Sequence, residues 1–429
     1  MQRDAKAPVW GTSDVTTPVT VSFAGQKVTA EVHDGKWLAE LAPQAANSVG
    51  QDLVVSQGES KIVCKNVVVG DVWLCGGQSN MGFPLKQSAG SKNDVAAATN
   101  PNLRLFTVKQ RRSPEPQTEL DGGQWDESTP DSVADFSAVG YYFGRALLET
   151  EKIPIGLIHS SVGGTPAELW LALPAIESNP EIKDTTAPKG EAGLYNGMIA
   201  PLAPFAIKGI IWYQGEGNAP RPYNYRFVLE ALVKNWRATF DQGDLPFLMV
   251  EVAPISLFIK DPAERAVVRE SIQWVAKKLP NAATVSIVDL GDGKNNHPPR
   301  KRPVGERLAV AARALVYGEA IVPSGPQFES MTIDQGKAAV RFKSVGAGLE
   351  VKGAELTGFT IAGDDMKFYD AAAQIVGDTI VVSSEQVPDP KSVRFGWDND
   401  PKVNLWNKDG LPAHPFRTDS WEVPNQDAK

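Results

Sequence analysis

An apolar run, Asp71-Val72-Trp73-Leu74-Cys75, ends in Gly76-Gly77 and is followed at once by Gln78-Ser79-Asn80-Met81. A small hydroxyl at the end of a buried strand suits two readings. Ser79 or Asn80 caps a helix in a tight turn, or Ser79 is a nucleophile on a strand-to-helix elbow. Three further loops at predicted strand ends carry polar residues of useful type: His159-Ser160-Ser161-Val162-Gly163-Gly164-Thr165-Pro166, Trp212-Tyr213-Gln214-Gly215-Glu216-Gly217-Asn218, and Asp289-Leu290-Gly291-Asp292-Gly293-Lys294-Asn295-Asn296-His297-Pro298. Acyl transfer needs a nucleophile, a base in reach and donors for the oxyanion. Ser79 supplies the first and His297 the second. A helix starting just after Ser79 would place backbone N–H groups and its positive end nearby. The Gly163-Gly164 turn can bring a second backbone N–H close without a Cβ in the way, and Asn218 offers a side-chain donor.

Each residue also has a plainer role to weigh. The chain has four histidines, His33, His159, His297 and His414. His159, at a strand end, is the second candidate base, and His33 and His414 fall in β-rich ends of the chain. Gln78, Gln214 and Glu216 read as supports that brace the loops and orient Asn218 or Asn80. Glu168 reads as a buried carboxylate held by backbone donors. Trp73, Trp170 and Trp212 read as core. Met81 stands where a Gly-x-Ser-x-Gly elbow would have its second glycine, which argues against an α/β-hydrolase of the lipase type.

The elements that must position these loops follow from periodicity. Residues 1–67 read as an antiparallel β unit: Val19 to Phe23 and Lys27 to Val32 alternate about a Gly25-Gln26 turn, and Trp37 to Leu41 follows an Asp34-Gly35 turn signal. Over 68–322 strands alternate with helices. Ile153 to Ile158, Ile207 to Tyr213, Pro246 to Val252 and Thr284 to Leu290 read as strands, and the second is apolar enough to be covered on both faces. Segments 223–240 and 262–279 show three- and four-residue apolar spacing, and 303–317 is a helix opened by Pro303. That alternation predicts a three-layer α/β/α body with a parallel sheet, whose ligands bind beyond the carboxyl ends of the strands. Strand signals return over 323–429, at Ala338 to Phe342, Thr379 to Ser383 and Ser392 to Phe395. The least regular stretch is 176–195, read as a surface excursion near the site.

Composition bounds the partners. The chain has 429 residues, 42% of them hydrophobic, and a net charge of −8, which suits a large core and argues against a nucleic-acid partner. No stretch approaches the roughly 20 apolar residues of a membrane span. Two cysteines, Cys64 and Cys75, and four scattered histidines make neither a disulfide framework nor a zinc ligand set. Neither a metal nor an organic cofactor is implied.

Gly77-Gln78-Ser79-Asn80-Met81, Trp212 to Asn218 and His297-Pro298 resemble the SGNH hydrolase superfamily, and within it the sialate O-acetylesterase-like carbohydrate esterases. Leu194-Tyr195-Asn196-Gly197-Met198-Ile199-Ala200-Pro201-Leu202 and Gly410-Leu411-Pro412-Ala413-His414-Pro415-Phe416-Arg417-Thr418-Asp419 look like the same family. Five motifs in order span nearly the whole chain. The resemblance implies a flavodoxin-like SGNH-hydrolase domain, a serine esterase removing O-acetyl groups from sugars, Ser79 as nucleophile and His297 as base. It implies an oxyanion hole made of the Ser79 amide, the amide of Gly164 or Gly163, and the Asn218 side chain. Family members are commonly exported, which implies a periplasmic or extracellular setting. Both sialic acid and acetylated xylan are open as substrates. One departure stands out. Many members of the superfamily have Asp three residues before the histidine, and Lys294 stands there. Asp292 is the first candidate to orient His297 instead, then Asp289, Asn295 or a backbone carbonyl, the last two leaving a Ser–His dyad. The missing carboxylate keeps a second reading open, a catalytically decayed carbohydrate-binding protein on the same fold.

Overall fold

The computed structural model describes residues 1–183, 192–257, 261, 263–423 and 426. At its centre is a seven-stranded sheet. Its strands and helices, in chain order, are β1 (Asp71–Gly77), β2 (Asn100–Thr107), β3 (Trp125–Ser128), α1 (Ala138–Glu151), β4 (Ile155–Ser161), β5 (Gly209–Tyr213), α2 (Tyr225–Phe240), β6 (Phe247–Val250), α3 (Glu264–Lys278), β7 (Ala282–Val285) and α4 (Arg302–Leu315). The strand order is β7-β6-β5-β1-β4-β2-β3, parallel throughout except for the edge strand β3. The chain enters at β1, goes out to β2 and the edge strand β3, returns to place β4 between β1 and β2, then crosses to the other side at β5. β1 therefore lies at the switch point, where the crevice beyond the strand ends opens.

Side-chain alternation splits the sheet residues between two cores. Val72, Leu74, Ile158, Ile210, Trp212 and Met249 pack with α2 and α3, whose Val228, Leu232, Trp236, Val268 and Ile272 close that face. Trp73, Cys75, Leu157, Ile211, Leu248 and Val250 face the other way, onto α1 and α4. Each such side chain contributes about 1.5–3 kcal/mol on burial, so packing fixes the helices on both faces. The parallel, doubly covered sheet expected from the sequence is what forms. The helix α1 was not visible in the apolar spacing, because Gly140 and Gly144 break its propensity. Both are needed for contact: a Cβ at Gly144 would lie 2.7 Å from the Leu157 side chain. The strand expected over 284–290 is Ala282–Val285, since its pairing partner β6 ends at Val250 opposite Val285.

Antiparallel sheets flank this body. The N-terminal strands Gln26–Ala30, Val19–Phe23, Asn47–Gln57 and Ser60–Val69 form one four-stranded sheet. The C-terminal strands form two more four-stranded sheets, one built on Lys337–Lys343 and Thr379–Ser383, the other on Phe359–Ala362 and Ser392–Phe395, and a two-stranded pair, Leu349–Val351 with Leu405–Asn407. The tail motif fastens these to the body: Arg417 Nε donates to Glu270 of α3 at 2.9 Å, and buried His414 meets Glu251, the residue after β6, at 2.5 Å. Both cysteines are free, Cys64 exposed and Cys75 buried. Within the irregular stretch 176–195, residues 184–191 lie outside the described residues.

Candidate active site

The ends of β4, β1 and β5 are flush, with Ser161 and Tyr213 both opposite Gly77. Three of the four polar loops therefore leave the sheet side by side, and the fourth, 289–298, follows the edge strand β7. Gly77 has φ +144°, and a Cβ there would lie 2.2 Å from the Tyr213 carbonyl oxygen, so only glycine allows the chain to bend so close to β5. Gln78 N donates to that same carbonyl at 3.1 Å. Ser79 is left half-buried at the top of the bend. No helix starts directly after it, so the helix start that the sequence left open does not form; a 3-10 turn comes only at Leu85–Gln87. Gly82 N donates to Gln78 O at 2.9 Å, a single turn. Pro84, with no N–H and a restricted preceding residue, keeps the turn from continuing. Any donors near Ser79 are therefore individual amides without a helix dipole behind them.

Ser79 Oγ lies 2.7 Å from His297 Nε2. Burial and the nearby Lys301 ammonium hold the His297 imidazole below its usual pKa, with Glu216 opposing them. A neutral imidazole with a free Nε2 lone pair can accept the serine proton. His159 is excluded as its rival by position. Its Nε2 meets Ser161 Oγ at 2.7 Å, and burial pushes its pKa down to about 4.

The structure does not bring Asp292 to His297. Asp292 is exposed, and its Oδ1 accepts the amides of Lys294 and Asn295 at 2.9 Å each. It closes its own loop, and those amides lower its pKa. Asp289 is also engaged elsewhere, in a two-point pair with Arg307 at 2.6 and 2.8 Å. Asn295 Oδ1 accepts the backbone N–H of His297 at 2.8 Å, leaving the ring alone. Among the described residues, nothing is hydrogen-bonded to His297 Nδ1. The arrangement is a Ser–His dyad.

The third loop is built around Asn218, which is buried. Its Oδ1 accepts Ala167 N and Gln214 Nε2, each at 2.8 Å. Its Nδ2 donates to Glu168 Oε2 at 2.8 Å, which fixes the amide plane and leaves one N–H over. Glu168 is fully buried, but side chains hold it rather than the expected backbone donors: Arg221 pairs with its other oxygen at 2.8 Å. Tyr225 OH donates to Gln214 Oε1 at 2.7 Å, so Gln214 is itself locked. Gln78 Oε1 accepts Gly217 N at 3.1 Å and joins the elbow to this loop. Gly163 runs alongside the serine, where a Cβ would lie 3.4 Å from Ser79 Cβ, and Gly164 takes φ +69°. Among the described residues, the amides of Ser79, Gly163 and Gly164 donate to no protein acceptor.

Two residues tie the serine bend to the histidine loop. Asn80 Nδ2 donates to Glu216 Oε1 at 2.7 Å and to Asn296 O at 2.9 Å. Asn80 Oδ1 accepts from Lys301 Nζ. Sequence reasoning missed Lys301, since Arg300-Lys301-Arg302 reads as a solvated run of charge. No signal in the sequence separates it from its neighbours. Trp73, Trp170 and Trp212 are fully buried, as expected of core.

A family model described as carbohydrate esterase, sialic acid-specific acetylesterase, matches residues 69–314. The curated sialate O-acetylesterases of Homo sapiens and Pongo abelii are each 32% identical over 361 residues, covering 73% of this chain and 68% of theirs. The chain belongs to this family. Among solved structures, a carbohydrate acetylesterase from Xanthomonas citri is 40% identical with a TM-score of 0.92, over 98% of this chain and 97% of that one. The family is one of carboxylic ester hydrolases acting on acetylated carbohydrates, so the esterase reading and the three-layer fold expected from the sequence both stand. In this esterase, Asn80 joins Glu216, Lys301 and the backbone of the histidine loop into one network.

Proposed function

We propose that Ser79 is the nucleophile and His297 the general base of a serine esterase that hydrolyses O-acetyl esters on carbohydrates. The observation that carries this is the 2.7 Å contact between Ser79 Oγ and His297 Nε2. His297 takes the hydroxyl proton as Oγ attacks the acetyl carbonyl. The resulting oxyanion is received by the Ser79 amide, the amide of Gly164 or Gly163, and the spare N–H of Asn218. His297 returns the proton to the sugar oxygen, the sugar leaves, and water hydrolyses the acetyl-serine by the same route. Glu168, Gln214 and the Ala167 amide keep Asn218 aimed, so this donor needs no rearrangement during the reaction.

A fluorophosphonate probe tests the assignment. It is expected to label one peptide, the one containing Ser79. Absence of labelling on an active preparation, or labelling elsewhere, overturns the assignment. The same experiment separates this reading from a decayed binding protein, which the sequence kept open through its missing carboxylate. The intact serine–histidine contact supports catalysis. The substrate is proposed to be an O-acetylated sialic acid, the substrate class named by the curated relatives. Acetate release measured side by side on O-acetyl sialic acid and acetylated xylan tests this, and preference for xylan would replace it. The proposed setting is periplasmic or extracellular, which cell fractionation checks.

Asn218→Ala is expected to lower kcat by about 10²–10³ with little change in KM, the effect of losing one oxyanion donor. Steady-state kinetics on p-nitrophenyl acetate measure it. A loss under tenfold in the folded variant would remove Asn218 from the hole.

A further inference from the structure

Lys301 is fully buried, one residue before α4. Its ammonium carries no carboxylate partner within ion-pair distance among the described residues. Nζ donates to Asn80 Oδ1 and otherwise faces two aromatic rings, Phe83 at 4.9 Å and Tyr213 at 5.3 Å. Burying a lysine without a partner is costly, and burial here pulls its pKa down to about 7, with Glu216 opposing. The packing of α4 does not explain the placement. That helix is anchored by Val304, Leu308 and Ala312, all buried, and by the Arg307–Asp289 pair.

What Lys301 does touch is the joint between the two reacting groups. Asn80 adjoins Ser79 in the chain, and its Nδ2 grips the carbonyl of Asn296, the residue before His297. The same loop is held from the other side, where Pro299 O accepts Ala89 N at 2.8 Å and Lys301 N at 2.9 Å. Lys301 thus holds the amide of Asn80 by its oxygen while the amide nitrogen holds the histidine loop. In a triad a carboxylate does this orienting work from the far side of the imidazole. Here, among the described residues, no carboxylate reaches Nδ1.

We infer that Lys301 is a positioning residue for the esterase reaction, setting the Ser79–His297 contact through Asn80 and placing a buried positive charge at the joint between the serine bend and the histidine loop. The inference rests on the proposed serine–histidine chemistry. Its electrostatic sense is opposite to that of a triad carboxylate. A cation beside the imidazole disfavours the imidazolium, so the base form persists to lower pH and is a weaker base when it acts. The other charged or titratable groups facing this joint are Glu216, whose Oε1 accepts from Asn80, Tyr213, whose ring covers Nζ, and Arg265, whose Nη2 reaches Asn296 Oδ1 at 3.4 Å.

Two variants separate position from charge. Lys301→Met keeps the stem and removes both donor and charge. Lys301→Gln restores a donor without the charge. With p-nitrophenyl acetate, Lys301→Met is expected to lower kcat about 10²-fold, the size of effect a small misplacement of reacting groups produces, with KM changed less than threefold. The acid limb of its kcat/KM profile moves to higher pH. Lys301→Gln is expected to recover at least tenfold in kcat while keeping the displaced acid limb. Folded Lys301→Met with kcat within threefold of the parent and an unmoved acid limb overturns the inference, as does equal damage in both variants with no shift of the limb. Should both variants fail to fold, Asn80→Ala tests the link itself: kcat lowered at least tenfold with KM within threefold is expected, and kcat within threefold of the parent in the folded variant overturns the inference. Activity surviving in Ser79→Ala would instead defeat the catalytic assignment itself, so the two failures are distinguishable.

Discussion

Replacing Ser79 with alanine is expected to reduce hydrolysis of p-nitrophenyl acetate by a factor on the order of 10⁴ or more, while the protein melts at the same temperature. The size follows from the site's economy of parts. Among the described residues, the other serine in contact with a histidine, Ser161, is paired with His159, whose protonation is already suppressed by burial. It sits on the neighbouring strand β4. The small effect on folding follows from the side chain's contacts: Ser79 Oγ makes its one hydrogen bond to His297, and the bend is held by Gly77, Gln78 and Asn80. Activity in folded Ser79→Ala above a few per cent of the parent's would assign the chemistry to another group.

His297→Gln should cost a similar factor at neutral pH, because glutamine can keep a hydrogen bond to Oγ but cannot accept its proton. In the parent, activity requires the neutral imidazole, so kcat/KM falls as pH drops through the His297 pKa and is fully present above it. That pKa lies below the usual 6.5, so the expected acid limb also lies below 6.5, and it should vanish in His297→Gln. A pH profile of both proteins checks this. A limb of the same position in the variant would mean that some other group titrates.

Much of the site was legible because loops at strand ends have few reasons to carry Gly-Gly-Gln-Ser-Asn or Gln-Gly-Glu-Gly-Asn. Backbone demands explain the glycines and not the polar residues between them. The serine, the histidine, the glycine pair and Asn218 all come to one rim. The orienting acid was misjudged for a physical reason. Asp292 and Asp289 are near His297 in sequence, but a carboxylate goes to the nearest good donors, and those are its own loop amides for one and Arg307 for the other. Lys301 was hidden by its charged neighbours, since sequence spacing cannot tell which member of a basic run turns inward. A helix start after Ser79 was one reading the sequence left open, because a glycine-to-serine step resembles a cap, whereas Phe83-Pro84 decides the outcome a few residues later. Element ends fared worst where, as at Val285, the pairing partner rather than the strand's own residues sets the stop.

The two free cysteines differ sharply in reactivity. Cys75 lies inside the sheet just ahead of the serine bend, where a Cβ on Gly140 would sit 3.2 Å from its sulfur, and burial pushes its thiol well above the usual range. It is closed to alkylating reagents as long as the protein is folded. Cys64 stands exposed on the strand Ser60–Val69. The native chain thus offers a maleimide dye a single attachment point, away from the reacting groups. Delayed labelling at the second thiol would serve as a clock for opening of the central sheet.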